Sequence, residues 1–260
     1  MSRILKDLLA KPDRVLRVFA LGRMCHPIAI EMFGQAGGFD GLWFDQEHSA
    51  ITTEQILVGA IAARANGLGS FVRMPFTHYS LASQNLEAGV EGVMAARIMS
   101  ADQAAEFVRW CCYTPAGWRG VNTQGSDGHF TRRTARELAD ARRNETLVGI
   151  QIETTSALDD VDAIAALPQV DLLFVGPADL SAELGAFGQP DHPRVWEAID
   201  AVYAACKKHG KTWGTVPFSP SFANRAVEKG CRMLTIASEL HALRVGIDAL
   251  KQMYGVTESA

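Results

Sequence analysis

Two carboxylates stand where two apolar runs stop. Glu153 follows the run in VGIQIETTSALDD, and Asp179 follows the one in DLLFVGPADLSAELG, 26 residues later. Side chains alternate across a strand, so Gln151 and Glu153 share one face and Ile150 and Ile152 the other. A spacing of about one β/α unit puts the two acids on neighbouring strand ends. Two ionised carboxylates at that distance repel unless a cation lies between them. A hard divalent ion with oxygen ligands and open water positions answers that need. Gly176 and Pro177, followed by Ala178, fix the backbone just ahead of Asp179. The plainer alternative makes Asp179 a helix cap for LSAELG and pairs Glu153 with a lysine or arginine.

A second group follows another apolar run. WFDQEHSA brings Asp45, Glu47 and His48 together, and FVRMP places Arg73 inside an apolar stretch. A histidine whose ordinary pKa is about 6.5 suits proton transfer; in a polar loop it is equally a surface residue. A buried arginine is costly unless it meets an anion. That anion is either a substrate carboxylate, held through a bidentate fork, or a neighbouring acid of the fold. Two acids for a metal, an arginine for a carboxylate and a histidine for protons together suit a 2-oxo acid. The metal would polarise its carbonyl and stabilise an enolate.

The elements that must position these groups are legible as eight short apolar runs: 16–22, 41–45, 70–74, 92–97, 146–153, 171–176, 211–218 and 232–238. Between them lie segments of helical spacing, among them TTEQILVGAIAARANG, SADQAAEFVRWC, SALDDVDAIAALP and HPRVWEAIDAVYAACKKHG. Strand alternating with helix predicts parallel βαβ units. Eight of them in 260 residues predict one (β/α)8 TIM barrel spanning 1–260. No GxGxxG or GxxxxGK[ST] follows the first strand, so a nucleotide-binding sheet lacks its sequence signature. In such barrels chemistry sits at the C-terminal strand ends, where Asp45, Arg73, Glu153 and Asp179 fall. The segment 113–145 is expected to be a long loop followed by a helix.

Composition narrows the function classes. Net charge is −4, and the main basic cluster, Arg132, Arg133, Arg136, Arg142 and Arg143, is interspersed with Glu137 and Asp140. It reads as a solvated helix face, and no nucleic-acid partner is expected. The five cysteines form no CxxC pair or zinc spacing, so reduced, buried thiols are expected. With no signal-peptide pattern and no membrane-length apolar stretch, the expected location is the cytoplasm, with no membrane partner.

QIETTSALDDVDAIAALPQVDLLFVGPADLSAELGAFGQPDHPRV resembles the metal-site block of the HpcH/HpaI aldolases, the metal-dependent class II pyruvate aldolases. FDGLWFDQEHSA and FVRMP are similar to two further segments of that family, and the resemblance covers roughly 17–250. It implies a homo-oligomeric barrel, hexameric in many members, using Mg²⁺, Mn²⁺ or Co²⁺ to cleave a 4-hydroxy-2-oxo acid to pyruvate and an aldehyde. It also implies aromatic or sugar acid catabolism. By position it implies Glu153 and Asp179 as metal ligands, with Gln151 beside them. Arg73 would bind the pyruvate carboxylate and His48 move the proton. Asp45 is similar to the acid that opens the family's histidine segment. Gly176, Pro177 and Ala178 would line the pyruvate pocket. The chain departs from the pattern at three places: Glu87 stands where an aspartate commonly partners the histidine, MAAR with Ala96 and Arg97 replaces Val-Pro, and NTQGSDGHF replaces the usual loop. All three are expected near the acceptor-aldehyde pocket. Two other readings stay open: another enolate reaction, such as decarboxylation of an oxaloacetate-like acid, and a non-catalytic metal-binding barrel.

Overall fold

The computed structural model describes residues 4–256, apart from the side chains of Ile4 and residues 142–144. The ends of the expected 1–260 domain, and the side chains of Arg142 and Arg143, thus lie outside the described residues. In chain order the elements begin α1 (Ile4–Leu9), β1 (Leu16–Leu21), α2 (Pro27–Ala36), β2 (Gly41–Asp45), α3 (Thr53–Ala65), β3 (Gly69–Pro75) and α4 (Tyr79–Ala88). They continue β4 (Gly92–Ala96), α5 (Ala101–Cys111), α6 (Ala135–Glu145), β5 (Leu147–Ile152), α7 (Thr155–Asp159), α8 (Val161–Ala166) and β6 (Leu172–Val175). The last are α9 (Pro177–Glu183), α10 (Pro193–His209), β7 (Thr212–Thr215), α11 (Pro220–Glu228), β8 (Met233–Ser238) and α12 (Glu239–Tyr254). The eight strands pair in sequence order, and β8 closes on β1 as a barrel.

Alternation along each strand builds two cores. Inward residues Leu16, Val18, Trp43, Phe71, Leu147, Leu172 and Phe174 fill the barrel. Outward residues such as Leu42, Phe44, Val72, Ile150, Ile152 and Val175 join the helices in the outer shell. The inward positions turn polar towards the C-terminal ends, with Asp45, Arg73 and Gln151 in the sequence of each strand after the apolar layer. At the opposite end α1 plugs the base through Leu5, whose N–H donates to Glu91 Oε2 at 2.8 Å. Gly69 admits it: a Cβ there would lie 2.6 Å from Leu5 Cγ.

All eight expected strands form within a few residues of their predicted bounds, and α6 follows the long loop as expected. The single helix expected over SALDDVDAIAALP is instead two, α7 and α8. The break is Asp160, whose carboxylate accepts from Ala101 N–H at 2.8 Å rather than continuing one helix face. Arg132 and Arg136 are exposed, but Arg132 and Arg133 precede α6 and Arg133 is largely buried in a pair with Glu145 at 2.9 Å, so the cluster is only in part a solvated helix face.

α12 departs from the pattern of the others. Leu240, Leu243, Ile247, Leu250 and Tyr254 share one stripe at helical spacing, and all are exposed. An open groove of about 730 Å³ lies over β8 and β1 beside α11, lined by Val15, Phe218, Ala223, Val227, Leu234 and Ile236 among others.

Candidate active site

The parallel register sets Asp45 beside Arg73. The guanidinium donates twice to that carboxylate, Nε to Oδ1 at 3.1 Å and Nη2 to Oδ2 at 2.6 Å. Its Nη1 lies 3.1 Å from Glu47 Oε2, and its carbon sits 4.7 Å over the Trp43 ring. Burial raises the Asp45 carboxyl, but the Arg73 bond and charge override it and hold the pKa below the ordinary value. Arg73 therefore meets acids of the fold, the plainer of its two sequence readings. Its fork still carries two N–H groups beyond these contacts. Glu47 is a residue of this candidate site to which the sequence pattern gave no role. Its signal is position: it is two residues past the strand end that carries Asp45.

His48 is more than half exposed, with Nε2 3.6 Å from Glu47 Oε2. Its backbone is fixed: the N–H donates to Asp45 Oδ1 at 3.2 Å, and the carbonyl accepts from Arg23 Nη2 at 2.9 Å. The ring is thus placed at the mouth, next to an acid and open to solvent.

Gln151 and Glu153 share a face, and the Gln151 amide bonds directly to Glu153 Oε2. Glu153 Oε1 accepts the backbone N–H of Arg97 at 2.7 Å. Both side chains are buried. Burial pushes the Glu153 carboxyl up to about 7. The Arg97 N–H opposes that rise, while the charges of Glu47 and Asp179 add to it. Gly176 closes over this pair, and a Cβ there would stand 2.8 Å from both Gln151 Nε2 and Glu153 Oε2. Pro177 opens α9 and Ala178 follows, so Asp179 lies in the first turn of that helix, with Gly176 as its N-cap. The expected cap at Asp179 is therefore taken by Gly176.

These residues fit a divalent cation. Gln151 Oε1 is buried without a hydrogen-bond partner, and no hydrogen bond is aligned on Glu47 Oε2. Among the described residues no lysine or arginine pairs with Glu153 or Asp179. No group of three or more His, Cys, Asp or Glu side chains among them is arranged to hold an ion unaided. Two carboxylates with water and substrate completing the shell is the usual binding mode of Mg²⁺.

Two expectations about the mouth are corrected by topology. α4 runs from the end of β3 back to the start of β4, so Glu87, its penultimate residue, lies at the base. There its Oε2 accepts from Asn122 Nδ2 at 2.8 Å, and its carbonyl from Ser126 N–H at 2.8 Å. The expected Glu87–His48 pair does not form within one chain. The 122–130 segment follows α5, which also ends at the base, and so it lies away from the mouth of its own barrel. Only Ala96 and Arg97, at the end of β4, stay beside the site.

The sequence profile of the HpcH/HpaI aldolase/citrate lyase family matches residues 23–245. The 5-keto-4-deoxy-D-glucarate aldolase of Klebsiella pneumoniae subsp. pneumoniae is 32% identical over 231 residues, which are 89% of each chain. Among solved structures, an HpcH/HpaI aldolase from Desulfitobacterium hafniense superimposes with a TM-score of 0.91 at 29% identity, over 99% of both chains. An HpcH/HpaI aldolase/citrate lyase family protein from Burkholderia cenocepacia gives 0.88 at 31% identity, over 97% of this chain and 100% of that one. This chain belongs to the HpcH/HpaI aldolase/citrate lyase family and is an enzyme of that kind, a carbon–carbon lyase of aldolase type.

Proposed function

We propose that this lyase reversibly cleaves a 4-hydroxy-2-oxo acid to pyruvate, or a close 2-oxo acid, and an aldehyde, with Mg²⁺, Mn²⁺ or Co²⁺ held by Glu153 and Asp179. The observation that carries the reading is Glu153: a buried acid, raised to about 7, beside two further acids and bonded to no basic side chain. A sugar acid substrate accords with the relatives named for 5-keto-4-deoxy-D-glucarate. When bound, the ion supplies a Lewis acid for the substrate's 2-oxo and carboxylate oxygens. Arg73, held flat by Asp45 and Trp43, offers its remaining N–H groups to the substrate carboxylate. Gly176, Pro177 and Ala178 wall the pyruvate side. In cleavage the C4 hydroxyl loses a proton, C4 becomes the aldehyde carbon, and the C3–C4 electron pair passes to the 2-oxo fragment. A proton returned to C3 gives pyruvate, with no net oxidation. His48, at the mouth beside Glu47, is the group assigned to move these protons, and Asp45 sets its backbone.

Proton NMR of pyruvate in D₂O tests the reading without knowledge of the aldehyde. The methyl signal is expected to disappear with Mg²⁺, Mn²⁺ or Co²⁺, to persist in chelator, and to persist in Asp179→Ala. Persistence with every metal would sink the proposal.

We further propose a homo-oligomer, hexameric by family resemblance, in which α12 of one copy lies in the groove over β8 and β1 of another. The exposed apolar stripe of α12 and the uncovered apolar groove support this; burying both removes a large apolar surface from water. Leu243→Glu combined with Ile247→Glu is expected to convert the assembly to smaller species in size-exclusion chromatography with light scattering. An unchanged mass would exclude α12 from the interface. A cytoplasmic location accords with Cys206 and Cys231 being buried thiols, which burial pushes up to about 12. No helix among the described residues is long and apolar enough to cross a membrane.

A further inference from the structure

The acid that opens α12 does not serve its own helix. Ser238 is the N-cap and accepts the His241 N–H at 3.4 Å, whereas the Glu239 side chain turns towards β1. The β8–β1 register sets Ser238 against Ala20, which brings Glu239 level with the end of β1. There its Oε1 accepts three successive backbone N–H groups, from Gly22 at 2.9 Å, Arg23 at 2.6 Å and Met24 at 3.3 Å. Successive N–H groups curled round one point form a nest for an anion. Here the chain fills the nest with its own carboxylate, and Glu239 is only 7% exposed.

The segment held in this way is the one that touches the histidine loop. Arg23 Nη2 donates to the His48 carbonyl at 2.9 Å. Gly22 backs onto the same loop, where a Cβ would stand 3.2 Å from Ser49 Cβ and 3.5 Å from Asp45 Cβ. Ser49 Oγ donates to the Asp45 carbonyl, and Asp45 Oδ1 accepts the N–H groups of Glu47 and His48. His48 is thus fixed from two sides, by Asp45 on β2 and by the 22–24 segment after β1. The groups assigned to the metal and to the substrate carboxylate stand elsewhere: Arg73 on β3, Glu153 just past β5 and Asp179 on α9.

We propose that Glu239 is a positioning residue for proton transfer. Its carboxylate pins the 22–24 segment, and that segment sets where the His48 ring stands over the mouth. This rests on the aldolase reading, and within it on His48 as the group that moves the proton. A proton passes only over hydrogen-bond length, so a small displacement of the ring slows the transfer while metal and substrate binding persist.

The test follows pyruvate methyl exchange in D₂O by the full chain with Mg²⁺, over a range of pyruvate concentrations, with Mg²⁺ affinity measured by calorimetry. Glu239→Ala is expected to lower kcat for exchange by about 10- to 100-fold. KM for pyruvate and Mg²⁺ affinity should stay within about threefold of native. Glu239→Gln, which keeps Oε1 as an acceptor without the charge, should recover part of the loss. Arg23→Met cuts the link at an exposed residue, where folding is not at risk, and should lower kcat by about fivefold with KM unchanged. In a His48→Ala background none of these changes should lower the rate further, because residues that act through one group are not additive. Native kcat in both Glu239→Ala and Arg23→Met, a joint loss of kcat, pyruvate binding and Mg²⁺ affinity in Glu239→Gln, or full additivity with His48→Ala would overturn the assignment. Exchange by the native protein that resists these substitutions refutes the role of Glu239 alone. Absence of exchange by the native protein with Mg²⁺, Mn²⁺ or Co²⁺ overturns the aldolase reading and this inference with it.

Discussion

Glu153→Gln is expected to make the metal-free protein more stable and the enzyme nearly inactive. The carboxyl is raised from an ordinary 4.5 to about 7, first by burial and then by the charges of Glu47 and Asp179, against the Arg97 N–H. An acid whose folded pKa is raised destabilises the fold when ionised. The penalty is absent below its unfolded pKa, grows as pH rises through the interval, and is complete above the folded value. The amide removes it, so in chelator the variant should gain about 3 kcal/mol at pH 8 and nothing near pH 4. With saturating Mg²⁺ the ranking should reverse, because the ion stabilises only a form that binds it. Loss of one of two protein ligands should lower pyruvate exchange by about 10²- to 10⁴-fold, a few kcal/mol of barrier. Urea melts at both pH values, with and without Mg²⁺, give the comparison. A variant that is less stable in chelator at pH 8, or that keeps its Mg²⁺ affinity, would remove Glu153 from the metal site.

Arg73→Lys should damage both stability and catalysis. The guanidinium serves Asp45 through two bonds and Glu47 through a third contact, and packs on Trp43. One ammonium cannot reproduce the planar fork, so one of two largely buried acids is left short of its partner. The expected cost is about 2–4 kcal/mol. Its pH dependence has a definite sign. Arg73 holds the Asp45 pKa below its ordinary value, so the stabilisation is full above the unfolded carboxyl pKa and is lost as pH falls through the folded one. The native-to-variant gap should therefore be widest at neutral pH and close in acid. Pyruvate exchange should fall by about 10²-fold if the two remaining N–H groups hold the substrate carboxylate. A stability loss with near-normal exchange would make Arg73 a structural residue.

The positions of most candidate site residues were readable in the sequence. Glu153, Asp179, Asp45, Arg73 and Gln151 each sit at the end of an apolar run, and β-strand alternation fixes which of them share a face. Both are local properties of a few adjacent residues, and the barrel places these residues on the C-terminal side of β2, β3, β5 and β6 as the pattern implies. Glu87 and the 122–130 segment lie away from the mouth of their own barrel, which local pattern could not show. α4 and α5 run back to the base before these residues are reached, so proximity in the family pattern does not give proximity within one chain.

Sequence by itself determined the eight-fold strand–helix alternation, the inward and outward faces, and the identity of the acids at the strand ends, because periods of 2 and 3.6 residues are written locally. Tertiary structure alone decided the rest. The register across separate strands gave Arg73 to Asp45 and Glu47. Closure of the barrel buried Glu153 and set the charges of Glu47 and Asp179 near it, and so raised its pKa. The backbone turn at the end of β4 tied Arg97 to that same carboxylate, and α12 was left with its apolar stripe uncovered. Each of these depends on groups brought together from distant parts of the chain, where burial and charge act through space.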